Sequence, residues 1–265
     1  MAKDFTYTVL QNLYEALKQQ GYQFLPYKEF YQIKNVEAQK VVCLRHDVDD
    51  RFLHSLHVAK MQQKMGIRGT FYFRSIPQSF NETVIKEIAA LGHEIGYHYE
   101  TMDTASGDVA KAFEEFKFQL ERLRKLAPVT TACMHGSPLS KYDNRDLWKH
   151  YRYQDLGLIA EPYFDTDFNA VFYLTDTGRR WDGQHVSVRD KAMLERPVTN
   201  PQFLKLSFHS TFDVLKGLNS GSFPNHILIT FHPQRWTNDS VLWCRELLLQ
   251  SLKNTIKRFL VRSKA

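Results

Sequence analysis

The sequence predicts an α/β fold: a distorted parallel (β/α) barrel of seven strands with an N-terminal helical extension. Three observations lead to this prediction. Short apolar runs alternate with amphipathic segments of ten or more residues, which is the pattern of crossover units in a parallel sheet. Six or seven such units follow one another without a linker-like change in composition. Finally, the apolar runs end in polar clusters, as the strands of barrel enzymes do.

Taken in order, residues 1–39 are predicted to form the helical extension packed on the barrel, and residues 40–265 the barrel itself. A helix is expected within "MAKDFTYTVLQNLYEALKQQ", where leucines recur at helical spacing, and a turn with a short connecting element follows it. The predicted strands lie in "KVVCLRHDVDD", "RGTFYFRS", "HEIGYHYE", "TTACMHGSP", "GLIAEPYFD", "VFYLTDTGRRW" and "HILITFHPQRW". The predicted helices between them include "SLHVAKMQQKMG", "NETVIKEIAALG" and "GDVAKAFEEFKFQLERLRKLA", and a last helix ends the chain. Asn81 is the expected N-cap of the second of these, and Gly92 its C-terminal stop.

Composition narrows the class of protein. With 43% hydrophobic and 24% charged residues the chain has an ordinary globular composition, and no apolar run approaches the roughly 18 residues of a membrane span. No signal-peptide pattern is visible at the N-terminus, so a cytoplasmic location is expected. The three cysteines are far apart in the sequence and are expected to be reduced. The net charge of +6 comes with no basic stripe interleaved with aromatic residues, so no nucleic-acid partner is predicted, while an anionic substrate stays open.

Two of the polar clusters combine residue types that bind metal ions. Asp47 and Asp49 point the same way in an extended segment, and His98 and Glu100 share a face for the same reason. Carboxylates with imidazoles form a mixed oxygen and nitrogen site suited to zinc, manganese, iron or cobalt. Alone, either cluster is more simply explained as a helix cap or a solvated turn. Together, on neighbouring strand ends, they favour a metal site.

Two further histidines follow predicted strands. His135, in "MHGSP", is open to two interpretations, a polar loop residue or a ligand or substrate contact. His232 directly follows the apolar run "ILITF". A histidine held at a strand end with one nitrogen facing the pocket suits general acid catalysis near neutral pH.

The segment "DTGRRW" offers candidate substrate contacts. Arg179 and Arg180 could clamp a carboxylate or phosphate, or they could pair with Asp176 and Asp182. Trp181, beside them, is a candidate for lining a sugar site. These three residues are therefore predicted to bind substrate.

The motifs "LRHDVDD", "GTFYF", "LGHEIGYH", "SP" and "ILITFH", in this order and spacing, resemble those of the polysaccharide deacetylase (NodB-homology) superfamily. The resemblance runs from about residue 40 to residue 240 and is strongest to the branch with an RHDVDD-type first motif. It implies a distorted seven-stranded β/α barrel. It also implies that one aspartate activates a metal-bound water, a second aspartate and two histidines hold the metal, and a late histidine protonates the leaving amine.

Carried over to this chain, the resemblance assigns Asp47 as the base and His232 as the general acid. His98 matches the first metal-binding histidine. Val48 replaces the aspartate that usually follows the base, so the metal-binding aspartate is expected to be Asp49, with Asp50 as the alternative.

This sequence departs from the family pattern at two more points. The second metal-binding histidine would fall at Met102, so Glu100 or His135 is expected to take its place as a ligand. The family's arginine before the proline of the "SP" motif is also missing, and Arg179 or Arg180 is expected to stand in for it. Ser137, from the same motif, is a predicted substrate-binding residue.

The sequence thus predicts a metal-dependent hydrolase that removes an N-acyl group, expected to be N-acetyl, from a sugar-containing small molecule or oligosaccharide. Zinc is the expected ion, with cobalt, manganese or iron as alternatives. An amide or cyclic-amide hydrolase on the same barrel is the alternative enzyme, because a fold does not fix a substrate. A catalytically silent carbohydrate-binding barrel is the alternative from another class. The oligomeric state is not predicted.

Overall fold

Seven parallel strands form one curled sheet in the part of the chain that the structure covers. The computed structural model describes residues 3–33, 39–136, 140–181, 198–221 and 223–262. In chain order the strands are β1 (Gln23–Phe24), β2 (Val41–Val48), β3 (Thr70–Phe73), β4 (Glu94–Tyr99), β5 (Ala132–Met134), β6 (Phe172–Thr175) and β7 (His226–Phe231). Across the sheet they follow the order β5, β4, β3, β2, β7, β6, and β1 pairs with the start of β2.

Helices alternate with these strands and pack on the sheet, which confirms the predicted distorted parallel (β/α) barrel. They are α1 (Tyr7–Gln19), α2 (Tyr27–Phe30), α3 (Phe52–Lys64), α4 (Glu82–Ala90), α5 (Thr101–Thr104), α6 (Val109–Arg124), α7 (Pro162–Asp165), α8 (Pro201–Leu204), α9 (Thr211–Asn219) and α10 (Ser240–Arg262). The Asn81 side chain accepts a hydrogen bond from the Val84 amide at 3.0 Å, so the predicted N-cap of α4 is confirmed. Over the described ranges, none of these helices combines the length and the hydrophobicity that crossing a membrane requires.

Strand β2 lies at the centre of the sheet, and all eight of its residues are buried. Its side chains alternate between two apolar clusters, as the two-residue period of a strand requires. Val42 and Leu44 face the cluster that includes the outer helices, whereas Val41 and Cys43 face the barrel interior. Burial on both faces is typical of a parallel sheet covered by helices and explains the continuous apolar run at the start of this strand.

The register of the sheet brings the carboxyl ends of the strands to one edge. Asp47 on β2 is level with Tyr72 on β3, and His98 on β4 is level with Cys133 on β5. On the other side of β2, His46 is level with Phe231, the last residue of β7. The loops after β2, β4, β5 and β7 therefore open on the same side of the barrel, which is where the sequence analysis expects a site.

The segment 157–165 was predicted as a strand, and this prediction is wrong. Only Ala160 forms an isolated parallel bridge, to Thr131, and helix α7 begins directly afterwards at Pro162. Proline suits the first position of a helix because its missing N–H would have no partner there. The Glu161 carboxylate caps this helix by accepting hydrogen bonds from the amides at Tyr163 and Phe164.

The N-terminal extension is not only helical. Residues 23 and 24 form β1, which pairs with Val41 and Val42 at the start of β2. Helix α2 follows at once, and α1 packs beside α9. The extension therefore contributes one short strand to the sheet, where the sequence analysis predicted a turn and a connecting element.

His46 is a buried histidine on the outer face of β2. Its ring stacks on Phe71 at a centroid distance of 4.1 Å, Nδ1 donates to the Thr70 carbonyl at 3.0 Å, and Nε2 accepts from Gln62 at 2.8 Å. Burial lowers the pKa of His46 from 6.5 to about 3. The folded protein therefore holds this imidazole neutral at pH values where the unfolded chain would protonate it.

This lowered pKa predicts how stability depends on pH. The contribution of His46 to the free energy of unfolding is fully present above about pH 6.5 and is lost as the pH falls towards 3. The amide of the His46→Asn variant can still donate to Thr70. In this variant we expect the free energy of unfolding to depend less steeply on pH between pH 6.5 and 4, by up to about 1.4 kcal/mol per pH unit. Urea unfolding at several pH values measures the slope. The exposed His150→Asn is the control, and an unchanged slope in His46→Asn would contradict the expectation.

Candidate metal and catalytic centre

Three imidazoles face the carboxylate of Asp49, which lies on the loop after β2. The Oδ1 atom of Asp49 is 3.5 Å from Nε2 of His98 and 3.6 Å from Nε2 of His135. The Oδ2 atom is 3.8 Å from Nε2 of His232. Oδ1 is buried, and it accepts no hydrogen bond from the described residues. A buried carboxylate oxygen in this position needs a partner that the side chains around it do not supply.

Each of the three imidazoles is oriented from behind through its Nδ1 atom. The partners are the Cys133 carbonyl for His98 at 2.9 Å, the Glu100 carboxylate for His135 at 3.0 Å and the Asp176 carboxylate for His232 at 2.6 Å. An acceptor at Nδ1 holds the proton there and leaves the lone pair on Nε2. The three Nε2 atoms then face Asp49 as donors to a cation or a proton.

Arginines neutralise three of the four carboxylates around the centre. The pairs are Asp47 with Arg45 at 2.6 and 2.8 Å, Glu100 with Arg74 at 2.5 and 3.0 Å, and Asp176 with Arg235 at 2.9 Å. Asp49 is the exception: among the described residues no lysine or arginine lies within ion-pair distance of it. Because an unpaired buried charge is costly, the place beside Asp49 favours a cation.

His98, on strand β4, is in the neutral form that binds a metal. Burial lowers the pKa of His98 to about 4, against the opposing effect of the carboxylates of Asp47 and Asp49. The imidazole is therefore neutral at physiological pH, as metal coordination requires. Asp49 stays ionised, because the neighbouring histidines outweigh the effect of its burial and leave its pKa below the usual value.

Two of the three donor separations around Asp49 match those expected around one divalent ion. Two ligand atoms bound at roughly 2.1 Å to a tetrahedral ion lie about 3.4 Å apart. The distances from Asp49 Oδ1 to His98 Nε2 and to His135 Nε2, 3.5 and 3.6 Å, are close to this value. One carboxylate and two imidazoles leave a fourth position open, which is the arrangement of catalytic rather than structural zinc sites.

Asp47 lies beside this donor set and is held by Arg45. Its Oδ2 atom is 3.8 Å from Nε2 of His98, and both of its oxygens accept hydrogen bonds from the Arg45 guanidinium. Burial would raise the pKa of Asp47, but Arg45, His98 and His232 outweigh it, so the pKa lies well below the usual range. Sequence reasoning missed Arg45, although the two-residue spacing from Asp47 places both side chains on one face of β2.

Glu100 is oriented towards His135 and Arg74. Both of its oxygens accept from Arg74, and one also lies 3.0 Å from Nδ1 of His135. Burial raises the pKa of Glu100, but the hydrogen bonds from His135 and Arg74 outweigh it and lower the pKa to about 2. Of the two residues expected to replace the second histidine, His135 faces Asp49 and Glu100 supports His135 from behind. Met102, at the family's histidine position, is buried in the apolar core.

The predicted substrate contacts of the "DTGRRW" segment lie among aromatic and polar packing partners. The Arg179 guanidinium lies over the rings of Phe5 and Trp243, at 4.8 and 4.9 Å from their centroids. The Trp181 side chain is only 3% exposed, and its Nε1 atom donates to Thr211 at 2.9 Å. These contacts connect the loop after β6 to the N-terminal segment and the C-terminal helix.

Arg180 and Ser137 were also predicted to contact the substrate. Arg180 is half-buried on the same loop. Ser137 lies outside the described residues. Of the predicted site residues, the structure therefore brings together Asp47, Asp49, His98, Glu100, His135 and His232.

The loops after β6 and β7 supply a partner network that sequence reasoning missed. Asp176 is completely buried and accepts from the backbone amide and, at 2.6 Å, from Nδ1 of His232. It also accepts from Arg235 at 2.9 Å and from Nε1 of Trp236 at 2.8 Å. His232 and Arg235 outweigh the effect of burial and lower the pKa of Asp176. Its position one residue after an apolar strand, like that of Asp49, was the available signal.

No family model matches this sequence, and no curated protein matches it. Three solved structures show a weak overall similarity. A CE4 family pseudoenzyme from Bacillus anthracis is 14% identical, with a TM-score of 0.42, and the match covers 82% of this chain but only 62% of that one, less than two thirds of its length. A family 4 carbohydrate esterase from Bacillus anthracis is 12% identical, with a TM-score of 0.40 over 91% of this chain and 85% of its own. A CE4 esterase from Streptococcus mutans is 14% identical, with a TM-score of 0.43 over 91% and 89%.

Proposed function

We propose that this chain is a metal-dependent hydrolase that removes an N-acetyl group from a sugar-containing substrate. The observation that carries the proposal is the buried Oδ1 atom of Asp49, which accepts no hydrogen bond from any described residue and lies 3.5 and 3.6 Å from two imidazole nitrogens. The motifs that resemble the polysaccharide deacetylase superfamily, in its RHDVDD-type branch, support the same reaction class.

Asp49, His98 and His135 would hold the ion, with zinc as the expected metal. Bound there, the ion would supply Lewis-acid polarisation of the acyl carbonyl. His135 takes the place of the histidine that the family pattern puts at Met102. The carboxylate of Glu100, itself held by Arg74, keeps Nε2 of His135 directed at Asp49.

Asp47 is the proton acceptor for the attacking water. It is ionised at physiological pH because the charge and the two hydrogen bonds of Arg45 offset the cost of burying its carboxylate. The two hydrogen bonds from Arg45 also fix the plane of the carboxylate, so Asp47 keeps one orientation beside His98. Holding the acceptor in one orientation lowers the entropy cost of proton transfer.

His232 is the proton donor to the departing nitrogen. Its ring faces Asp49 from the loop after β7, on the side of β2 opposite to His98 and His135. The Asp176 carboxylate behind it accepts a hydrogen bond from Nδ1 at 2.6 Å and prevents rotation of the ring. A base on β2 and an acid after β7 can act in turn, the first on the attacking water and the second on the departing nitrogen.

Metal analysis and a hydrolysis assay test this proposal together. The purified chain, washed with chelator and reloaded with zinc, is expected to bind the ion and release acetate from N-acetylated amino sugars or oligosaccharides. Cyclic amides are assayed in parallel, and ring opening without acetate release would favour the alternative amide hydrolase. Zinc binding without hydrolysis of either class contradicts the proposed activity. A chain that holds no metal and still binds oligosaccharides supports the silent carbohydrate-binding barrel.

A further inference from the structure

The Cys133 thiol lies close to Asp47 and His98, two residues of the proposed centre. The Sγ atom of Cys133, a carboxylate oxygen of Asp47 and an imidazole nitrogen of His98 all lie within 4.8 Å of one another, and all three residues are buried. His98 and Cys133 are register partners on β4 and β5, so their side chains project from the same face of the sheet. The three donors therefore surround one place inside the barrel.

This group differs in chemistry from the donors around Asp49. Asp49, His98 and His135 offer one oxygen and two nitrogens, which suit ions of borderline hardness. Cys133 adds a sulfur, and thiolate ligands select thiophilic ions. His98 belongs to both groups through its single free nitrogen, Nε2, because Nδ1 is bound to the Cys133 carbonyl. The two groups therefore cannot be filled at the same time.

We infer that Asp47, His98 and Cys133 form a second, overlapping donor set that captures a thiophilic ion such as Cd²⁺ and thereby inactivates the centre. An ion bound there would occupy Asp47, the proposed proton acceptor, and His98, the ligand that both donor sets share, so neither residue could take part in hydrolysis. The inactivation rests on the proposed function, whereas the binding of the ion does not.

Binding of such an ion involves the loss of a proton from Cys133 and the positive charge of Arg45. The incoming ion forms a bond to sulfur and displaces the thiol proton to the solvent. Arg45, which neutralises Asp47, limits the negative charge that the site would otherwise accumulate.

A cadmium titration of the full chain tests the inference. All proteins carry Cys244→Ser, because Cys244 is exposed and would bind cadmium on its own. We expect Cd²⁺ to produce a thiolate-to-metal charge-transfer absorption that saturates at one ion per chain. Cys133→Ser should lose this absorption, and Cys43→Ser, the matched change at another buried cysteine, should keep it.

Asp49→Ala separates the two proposals. Asp49 is not part of the sulfur-containing donor set, so this variant should keep the cadmium absorption while it loses zinc. Absence of the absorption in the parent protein, or its persistence in Cys133→Ser, would overturn the inference and leave the proposed function intact. If Cys133→Ser does not fold, the ¹¹³Cd chemical shift of the parent protein shows whether sulfur is a ligand. Cadmium bound to sulfur resonates in a different range from cadmium bound only to oxygen and nitrogen.

Discussion

Asp47→Asn is expected to lower kcat/KM by about 10²–10⁴-fold, the usual scale for a positioned proton-transfer group. The amide keeps the size of the side chain but cannot accept a proton from water. Zinc should stay bound, because the donors proposed to hold it are Asp49, His98 and His135 rather than Asp47. The measurements are the rate of acetate release and the zinc content of the same sample.

Folding has to be checked in this variant because Arg45 loses its charged partner inside the barrel. Removing one member of a buried ion pair commonly costs about 3–5 kcal/mol of stability. Circular dichroism and a thermal melt establish that the assayed protein is folded at the assay temperature. A folded Asp47→Asn protein that holds zinc and hydrolyses substrate at nearly the normal rate would rule out Asp47 as the proton acceptor.

Asp49→Ala should weaken zinc binding by more than about 100-fold. Changes to residues that only support metal ligands typically cost roughly 10–100-fold in affinity, and loss of the single carboxylate ligand should exceed that range. The variant also removes a carboxylate that has no lysine or arginine partner among the described residues, so its metal-free form should fold at least as well as the parent protein. Competition with a chromophoric chelator measures the affinity, and a melt measures the stability.

The neighbouring residue provides the control. Asp50 follows Asp49 in the sequence but is exposed, and its carboxylate accepts from the backbone amide of Arg51. Asp50→Ala should leave zinc affinity within a fewfold of the parent value. Equal losses in the two variants would point to a general effect of negative charge on this loop and would remove Asp49 from the ligand set.

Much of the fold could be predicted because β2 and β7 are buried on both faces and therefore contain uninterrupted apolar runs, "VVCL" and "ILI". The segment 157–165 misled the same reasoning, since Leu158 and Ala160 pack in the core while the segment forms only an isolated bridge. There the decisive local signal was Pro162, which favours the start of a helix over a strand. Apolar content alone does not distinguish a strand from a buried connection.

The sequence was sufficient to place the candidate site at the carboxyl ends of the strands, because parallel strands bring these ends to one edge of the sheet. Which atoms meet there depends on side-chain directions that no local pattern carries. The choice between Glu100 and His135 is an example, because both residues follow strands. Only the fold directs His135 at Asp49 and Glu100 at Arg74. Asp176 was weighed only as a partner for nearby arginines, because its contact with His232 spans strands distant in the sequence.

The arginine partners described above also bear on how products would leave the centre. With Asp47, Glu100 and Asp176 each neutralised by an arginine, a divalent ion beside Asp49 leaves the pocket with one more positive than negative charge. Cleavage of an N-acetyl group yields an amine, which takes up a proton in water, and an acetate anion. Such a pocket repels the ammonium group of the sugar and attracts the acetate. Departure of the sugar first and of acetate second is the order that this electrostatic balance favours.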